Sequence, residues 1–155
     1  MARILVLGGA GFIGGHLAAR LAAEGHTLTL VDDLSRGRRD AALEALVARP
    51  NVTLVQADLT KAGALDGLPR QWEQVYMLAA VVGVRNVETD PARVVRVNTL
   101  SLIHLLDWMP GQGEVLFFAS TSETYASGVA AGHLPVPTPE TVALGVYPAF
   151  ATPGG

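Results

Sequence analysis

The chain has 155 residues, of which 50% are hydrophobic and 16% charged, with a formal net charge of −3 and no cysteine. That length fits one domain with a sizeable core, and the apolar content excludes a disordered chain. The absence of a basic tract excludes recruitment to nucleic acid or an anionic membrane, and the absence of cysteine excludes a disulfide framework, a thiolate metal site and a Cys nucleophile, which suits a reducing cytoplasm.

Arg3–Leu7 reads as a buried strand, a short apolar run ended by glycine. The N-terminus does not have the form of a signal peptide, and no apolar run reaches the roughly 18 residues of a membrane span. Phe12–Ala23 has helical spacing, with Ile13, Leu17 and Leu21 on one stripe and Gly25 as the stop. Thr27–Val31 is a second strand, Asp40–Ala48 a second helix followed by Pro50, Val52–Gln56 a third strand and Gln74–Ala79 a fourth. Asp90-Pro91 opens a long helix to about Trp108, with Pro91 in the first turn, and Glu114–Phe118 is a fifth strand. This alternation predicts an α/β fold, a doubly wound, Rossmann-like parallel sheet covered on both faces. From Ser127 onward, Pro135, Pro137, Pro139, Pro148 and Pro153 interrupt every periodicity. Residues 1–126 therefore read as the folded domain and 127–155 as a loop or extended arm.

Gly8, Gly11 and Gly14 form G-x-x-G-x-x-G between the first strand and the first helix. In that context the first glycine makes a tight turn, the second lets a pyrophosphate approach the backbone, and the third lets the helix pack closely. The helix N-terminus offers free N–H groups and a partial positive charge to phosphates. An acid, Asp32, follows at the end of the second strand, near the offset expected for a carboxylate that accepts from an adenosine ribose. The competing reading is a helix-capping turn with a solvated acid, and the ordered series of strand, glycines, helix, strand and acid disfavours it. A carboxylate at Asp32 repels a ribose 2′-phosphate and favours NAD over NADP; a nearby Arg can accommodate that phosphate, but with the acid at the strand end itself Arg36, Arg38 and Arg39 read as solvated charges opening the second helix.

The segments GGAGFIGGHLAARLAAEGH, VDDLSRGRR, QADLT, LAAVVGV, VNTLSLIHLLD and FFASTSETY together resemble the extended short-chain dehydrogenase/reductases. More narrowly they resemble the NAD-dependent epimerase/dehydratase family acting on nucleotide sugars, over Met1 to about Tyr125. The resemblance implies that Gly8, Gly11, Phe12, Ile13 and Gly14 contact the pyrophosphate. It implies that Asp32, Asp33, Leu34, Ser35 and Gly37 surround the adenosine ribose, and that Asp58 and Leu59 flank the adenine. Leu78, Ala79, Ala80 and Val82 would line the path to the nicotinamide, with Asn98 on the long helix beneath. Thr121 would hydrogen-bond the reacting sugar oxygen, and Glu123 would serve in proton transfer or polarise the sugar. Outside the resemblance, Ser120 to Tyr125 reads simply as a polar turn.

The family's catalytic base is a Tyr with a Lys four residues on. Here Tyr76, Tyr125 and Tyr147 are followed at that spacing by Ala80, Val129 and Ala151, and Lys61 is the one lysine. The family also continues directly with Gly after the position of Tyr125, where this chain has Ala126 and Ser127 before Gly128. The chain looks like the cofactor-binding half of a longer enzyme that stops before the last strands and the C-terminal substrate domain. The expected function is the NAD-binding portion of a cytoplasmic nucleotide-sugar epimerase, dehydratase or decarboxylase that oxidises its sugar transiently and forms a homodimer or larger assembly. The alternatives are a non-catalytic NAD-binding module and one part of a split enzyme. His16, His26, His104 and His133 lie in separate elements without metal-ligand spacing, so no metal is expected, and His16 and His104 read as helix-surface or packing residues.

Overall fold

The structure, a computed structural model, describes residues 1–36, 40–125, 128–129, 132 and 134–142, with the side chains of Ser122 and Glu123 excepted. The chain divides into two compact units, Met1–Ala119 and Ser120–Gly155. The first unit runs β1 (Arg3–Leu7), α1 (Phe12–Ala23), β2 (Thr27–Asp32), α2 (Ala41–Val47), β3 (Val52–Gln56), β4 (Trp72–Met77), α3 (Val84–Thr89), α4 (Pro91–Trp108) and β5 (Gly113–Phe118). The strands form one parallel sheet in the order β3-β2-β1-β4-β5. Winding proceeds outward from β1 in one direction and then resumes on its other side at β4. The point between β1 and β4 is where doubly wound sheets open a ligand crevice.

Alternation along each strand feeds two cores. Ile4, Val6, Leu28, Leu30 and Val52 face Ala18 and Ala22 of α1 and Leu43 and Leu46 of α2. Leu5, Leu7, Val31, Val75 and Met77 face the opposite side, where Leu105 of α4 packs with Leu59, Leu65 and Leu68 from the β3–β4 connection. Both sheet faces of β1 are closed, and its Ile4, Leu5, Val6 and Leu7 are 0% exposed. Among the described residues no helix is long and apolar enough to cross a membrane.

Four local features differ from the sequence-based expectation. On α1 the buried stripe is Gly14, Ala18 and Ala22, one position along from Ile13, Leu17 and Leu21, and Ile13 is 68% exposed. Small residues face the sheet because the helix start lies almost on the glycine turn. β4 begins at Trp72 and ends at Met77, two residues earlier than Gln74–Ala79. Trp72 anchors that start, 2% exposed, with its N–H donating to the Gln112 carbonyl at 2.6 Å. The β3–β4 crossover, to which the sequence reading assigns no element, is a series of turns carrying three buried leucines, Leu59, Leu65 and Leu68. Finally, α3 is a six-residue helix with no buried residue, to which the sequence reading assigns no element.

In the second unit, Ser122–Tyr125 forms one 3₁₀ turn, and the described residues 134–142 lie in turns and bends. Residues 128, 129 and 132 are described as well, and the rest of the expected arm lies outside the described residues.

Candidate functional site

The carboxyl ends of β1, β2, β3 and β4 open into a cavity of about 780 Å³. Gly8, Gly11, Phe12, Ile13, Gly14, Asp32, Asp33, Ser35, Asp58, Leu59, Leu78, Ala79, Ala80 and Val82 all line it. Leu34 and Asn98, also named from the sequence, lie outside that lining, and Gly37, Arg38 and Arg39 fall outside the described residues.

The glycine turn follows from its surroundings. Gly8 has φ of +84°, and a Cβ there would come within 2.6 Å of the Ala79 nitrogen, so β1 passes directly beside the end of β4. A Cβ on Gly14 would overlap the Gly8 carbonyl oxygen. The close approach of this third glycine is thus to the turn itself, not to the sheet. A Cβ on Gly11 would meet only the Gly8 oxygen, at 3.3 Å, and would otherwise stand in the cavity. Gly11 is also the N-cap of α1 and supplies no side-chain oxygen to the first helical N–H groups. Those groups are left for a ligand, and the helix dipole favours an anionic one. Phe12 is 83% exposed beside them, an apolar ring on the cavity wall.

Asp32 ends β2 and braces the site. Its Oδ2 accepts from the Ala10 N–H at 3.1 Å and its Oδ1 from the Leu34 N–H at 2.9 Å. Leu34 adopts φ of 59° and packs its side chain against the α1/α2 core, which explains its absence from the lining. Asp33 Oδ1 accepts from both the N–H and the hydroxyl of Ser35, closing the next turn. At the end of β3, Asp58 Oδ1 accepts from the Thr60 hydroxyl and N–H, at 2.7 and 2.9 Å. These two bonds, with help from the nearby Lys61 cation, hold its carboxyl below the usual range. On the opposite side of the cleft, Asn98 Oδ1 accepts from the Val81 N–H at 2.8 Å, and its Nδ2 donates to the Val81 carbonyl at 3.0 Å. Asn98 therefore fixes the loop after β4 from below.

Thr121 and Glu123 belong to the second unit. Thr121 is exposed, and its carbonyl accepts from the Thr124 hydroxyl at 2.9 Å. Glu123 lies within the 3₁₀ turn. Ala10, His16, Ala42, Val97 and Ser101 also line the cavity and had no local sequence signal, because a helix position that faces a cleft looks like one that faces solvent or core. Arg36 lines it too. Among the described residues no cluster of His, Cys, Asp and Glu is arranged to hold a metal ion.

The model of the NAD-dependent epimerase/dehydratase family matches residues 4–148. The chain belongs to that family. It is 33% identical over 123 residues to UDP-glucuronic acid decarboxylase 1 of Danio rerio, covering 79% of this chain and 28% of that protein. A crystal structure of UDP-galactose 4-epimerase superposes with a TM-score of 0.73 and 33% identity, over 90% of this chain and 43% of that one. A UDP-glucose 4-epimerase from Stenotrophomonas maltophila, solved with NAD and formylated UDP-arabinopyranose, gives a TM-score of 0.72 at 27% identity, covering 81% of this chain and 38% of that one. The chain thus spans less than half the length of these family members.

Proposed function

We propose that this chain is the NAD-binding portion of a nucleotide-sugar epimerase, dehydratase or decarboxylase. The observation that carries the reading is the Asp32 carboxylate, which bridges the glycine turn and the end of β2 at the rim of a cavity that a side chain on Gly11 would enter. The cavity volume suits a small-molecule or cofactor site. The N–H groups at the start of α1 hold the pyrophosphate, Asp32 takes the adenosine ribose, Asp58 and Leu59 flank the adenine, and Leu78, Ala79, Ala80 and Val82 border the nicotinamide half. NAD, when bound, supplies a hydride acceptor for a sugar carbinol.

Thr121 and Glu123 are assigned to the sugar on the family resemblance alone, as the hydrogen-bond partner of the reacting oxygen and the proton-transfer group. The same resemblance supports a nucleotide-sugar substrate and a homodimer or larger assembly. A sequence without cysteine supports a cytoplasmic location.

Titration with NAD(H) and NADP(H) by calorimetry tests the cofactor reading. NAD(H) is expected to bind more tightly by about tenfold or more, a difference of ~1.4 kcal/mol. Gly11→Val should weaken both cofactors, because its side chain projects into the cavity, and should lower the melting temperature modestly through the 3.3 Å approach to the Gly8 oxygen and the poorer helix cap. Equal or tighter NADP(H) binding would shift the assignment to Arg36, Arg38 and Arg39. No binding of either would remove the cofactor reading.

A further inference from the structure

β3 is an outer strand of the sheet, so the turn that leaves it, Asp58–Leu59–Thr60, has a sheet neighbour on one side only. Ala57 still donates to the Asp32 carbonyl at 3.1 Å, but beyond it the turn has left the ladder. Behind the turn lies a second cavity of about 180 Å³, bordered by Leu59, Ala62, Asp66, Ser101, His104 and Asp107. Packing therefore backs the turn incompletely, and Leu59 and Ser101 border this void as well as the main cleft. A specific tie crosses the gap. The half-buried His104 of α4 places Nδ1 2.9 Å from the Leu59 carbonyl oxygen, 45 residues away in the chain. A carbonyl only accepts, so Nδ1 carries the hydrogen.

Asn98, six residues earlier on α4, holds Val81 with its pair of bonds. Six residues are about 9 Å of helix rise. One helix thus grips the turn after β3 and the loop after β4, which flank the switch point on opposite sides.

We propose that His104 is a positioning residue for the adenine end of the cofactor site, setting the turn that borders the adenine through the Leu59 carbonyl. This rests on the reading of the cleft as a dinucleotide site. The His104 side chain borders the small cavity and acts on the cofactor only through Leu59.

The test measures binding of AMP, nicotinamide mononucleotide and NAD to the 155-residue chain by NMR titration, with thermal melts alongside. H104L should weaken AMP and NAD by the same factor, about three- to tenfold, as expected for one net hydrogen bond, and leave nicotinamide mononucleotide within twofold. H104N keeps an N–H donor at the position of Nδ1 and should restore most of the loss. If H104L does not fold, H104F keeps a planar ring without the donor and carries the same expectation. Unchanged AMP affinity in H104L, equal weakening of both mononucleotides, or no rescue by H104N overturns the assignment of His104 alone. Failure of the unaltered chain to bind AMP or NAD overturns the cofactor reading, and this assignment with it.

Discussion

Each oxygen of the Asp32 carboxylate holds one backbone N–H, from Ala10 and from Leu34. A carboxylate has about four lone-pair positions, so ligand hydroxyls can still be accepted while the brace is kept. The acid itself was legible in the sequence, because its place at a strand end has a known meaning. Its bracing role was not, because a bond spanning 22 residues leaves no trace in a local pattern. The same holds for His104, which looked like a packing residue and instead ties α4 to Leu59. Asp58 gives a prediction at this scale. Its carboxyl is held low by the Thr60 hydroxyl first and the Thr60 N–H second. A folded-state pKa below the unfolded value contributes stability that is present above the unfolded pKa and is lost as pH falls through the folded one. Urea unfolding should therefore show the chain losing more stability than Asp58→Asn between pH 7 and about pH 3. Identical losses in the two proteins would rule out that contribution.

Among the elements, those with strong local chemistry form where that chemistry predicts them. Asp40 and Asp90 cap α2 and α4 by accepting from the N–H groups of Leu43 and Arg93, both at 2.9 Å. β1, α1 and β3 have the bounds that their apolar runs imply. The misses share a physical cause, which is that tertiary contacts decided them. Leu78 and Ala79 continue the apolar run of β4, yet they border the cleft, so the strand ends before them. α1 is the clearest instance: at its start Phe12 and Ile13 are exposed while Gly14 lies against Gly8. Gly14→Ala should accordingly destabilise the fold by about 1–3 kcal/mol, as overpacking does, which lowers the melting temperature by about 2–4 °C per kcal/mol in a chain of this size. Calorimetric melts of the variant decide this, and an unchanged midpoint would show that the turn yields freely.

For the molecule as a whole, the exposed apolar surface predicts association. On α4, Val95 is 66% and Leu106 49% exposed, and their eleven-residue spacing puts them on one side of the helix. Val84 and Val87 of α3 are exposed at 73% and 50%. Light scattering at micromolar concentration should find a dimer or larger species, and Val95→Glu should shift it towards monomer. A monomer throughout that range would count against association through α4. The last prediction is that these 155 residues alone turn over no nucleotide sugar. The family chemistry needs a base to take a proton from the sugar hydroxyl as hydride leaves its carbon. A tyrosine at its free pKa of about 10 is a poor base at neutral pH and needs a cation beside it. Lys61 is the one lysine, and its N–H bonds the Asp58 carbonyl at 3.0 Å, which puts it at the proposed adenine end. Tyr76 is built into the sheet, its hydroxyl donating to Gln74 and its ring stacked on Phe117. Tyr125 and Tyr147 have Val129 and Ala151 where the family has lysine. A threonine hydroxyl such as that of Thr121 positions an oxygen but does not remove a proton at this pH. Loss of a general base costs about 10²–10⁴-fold in rate. Incubation with NAD and a panel of uridine, thymidine, guanosine and cytidine diphosphate sugars, read by mass spectrometry, should therefore yield no product. Turnover abolished by Glu123→Gln would overturn this and identify Glu123 as the base. Turnover that appears only on adding a second polypeptide bearing Tyr-x-x-x-Lys would show that the base is supplied from outside these 155 residues.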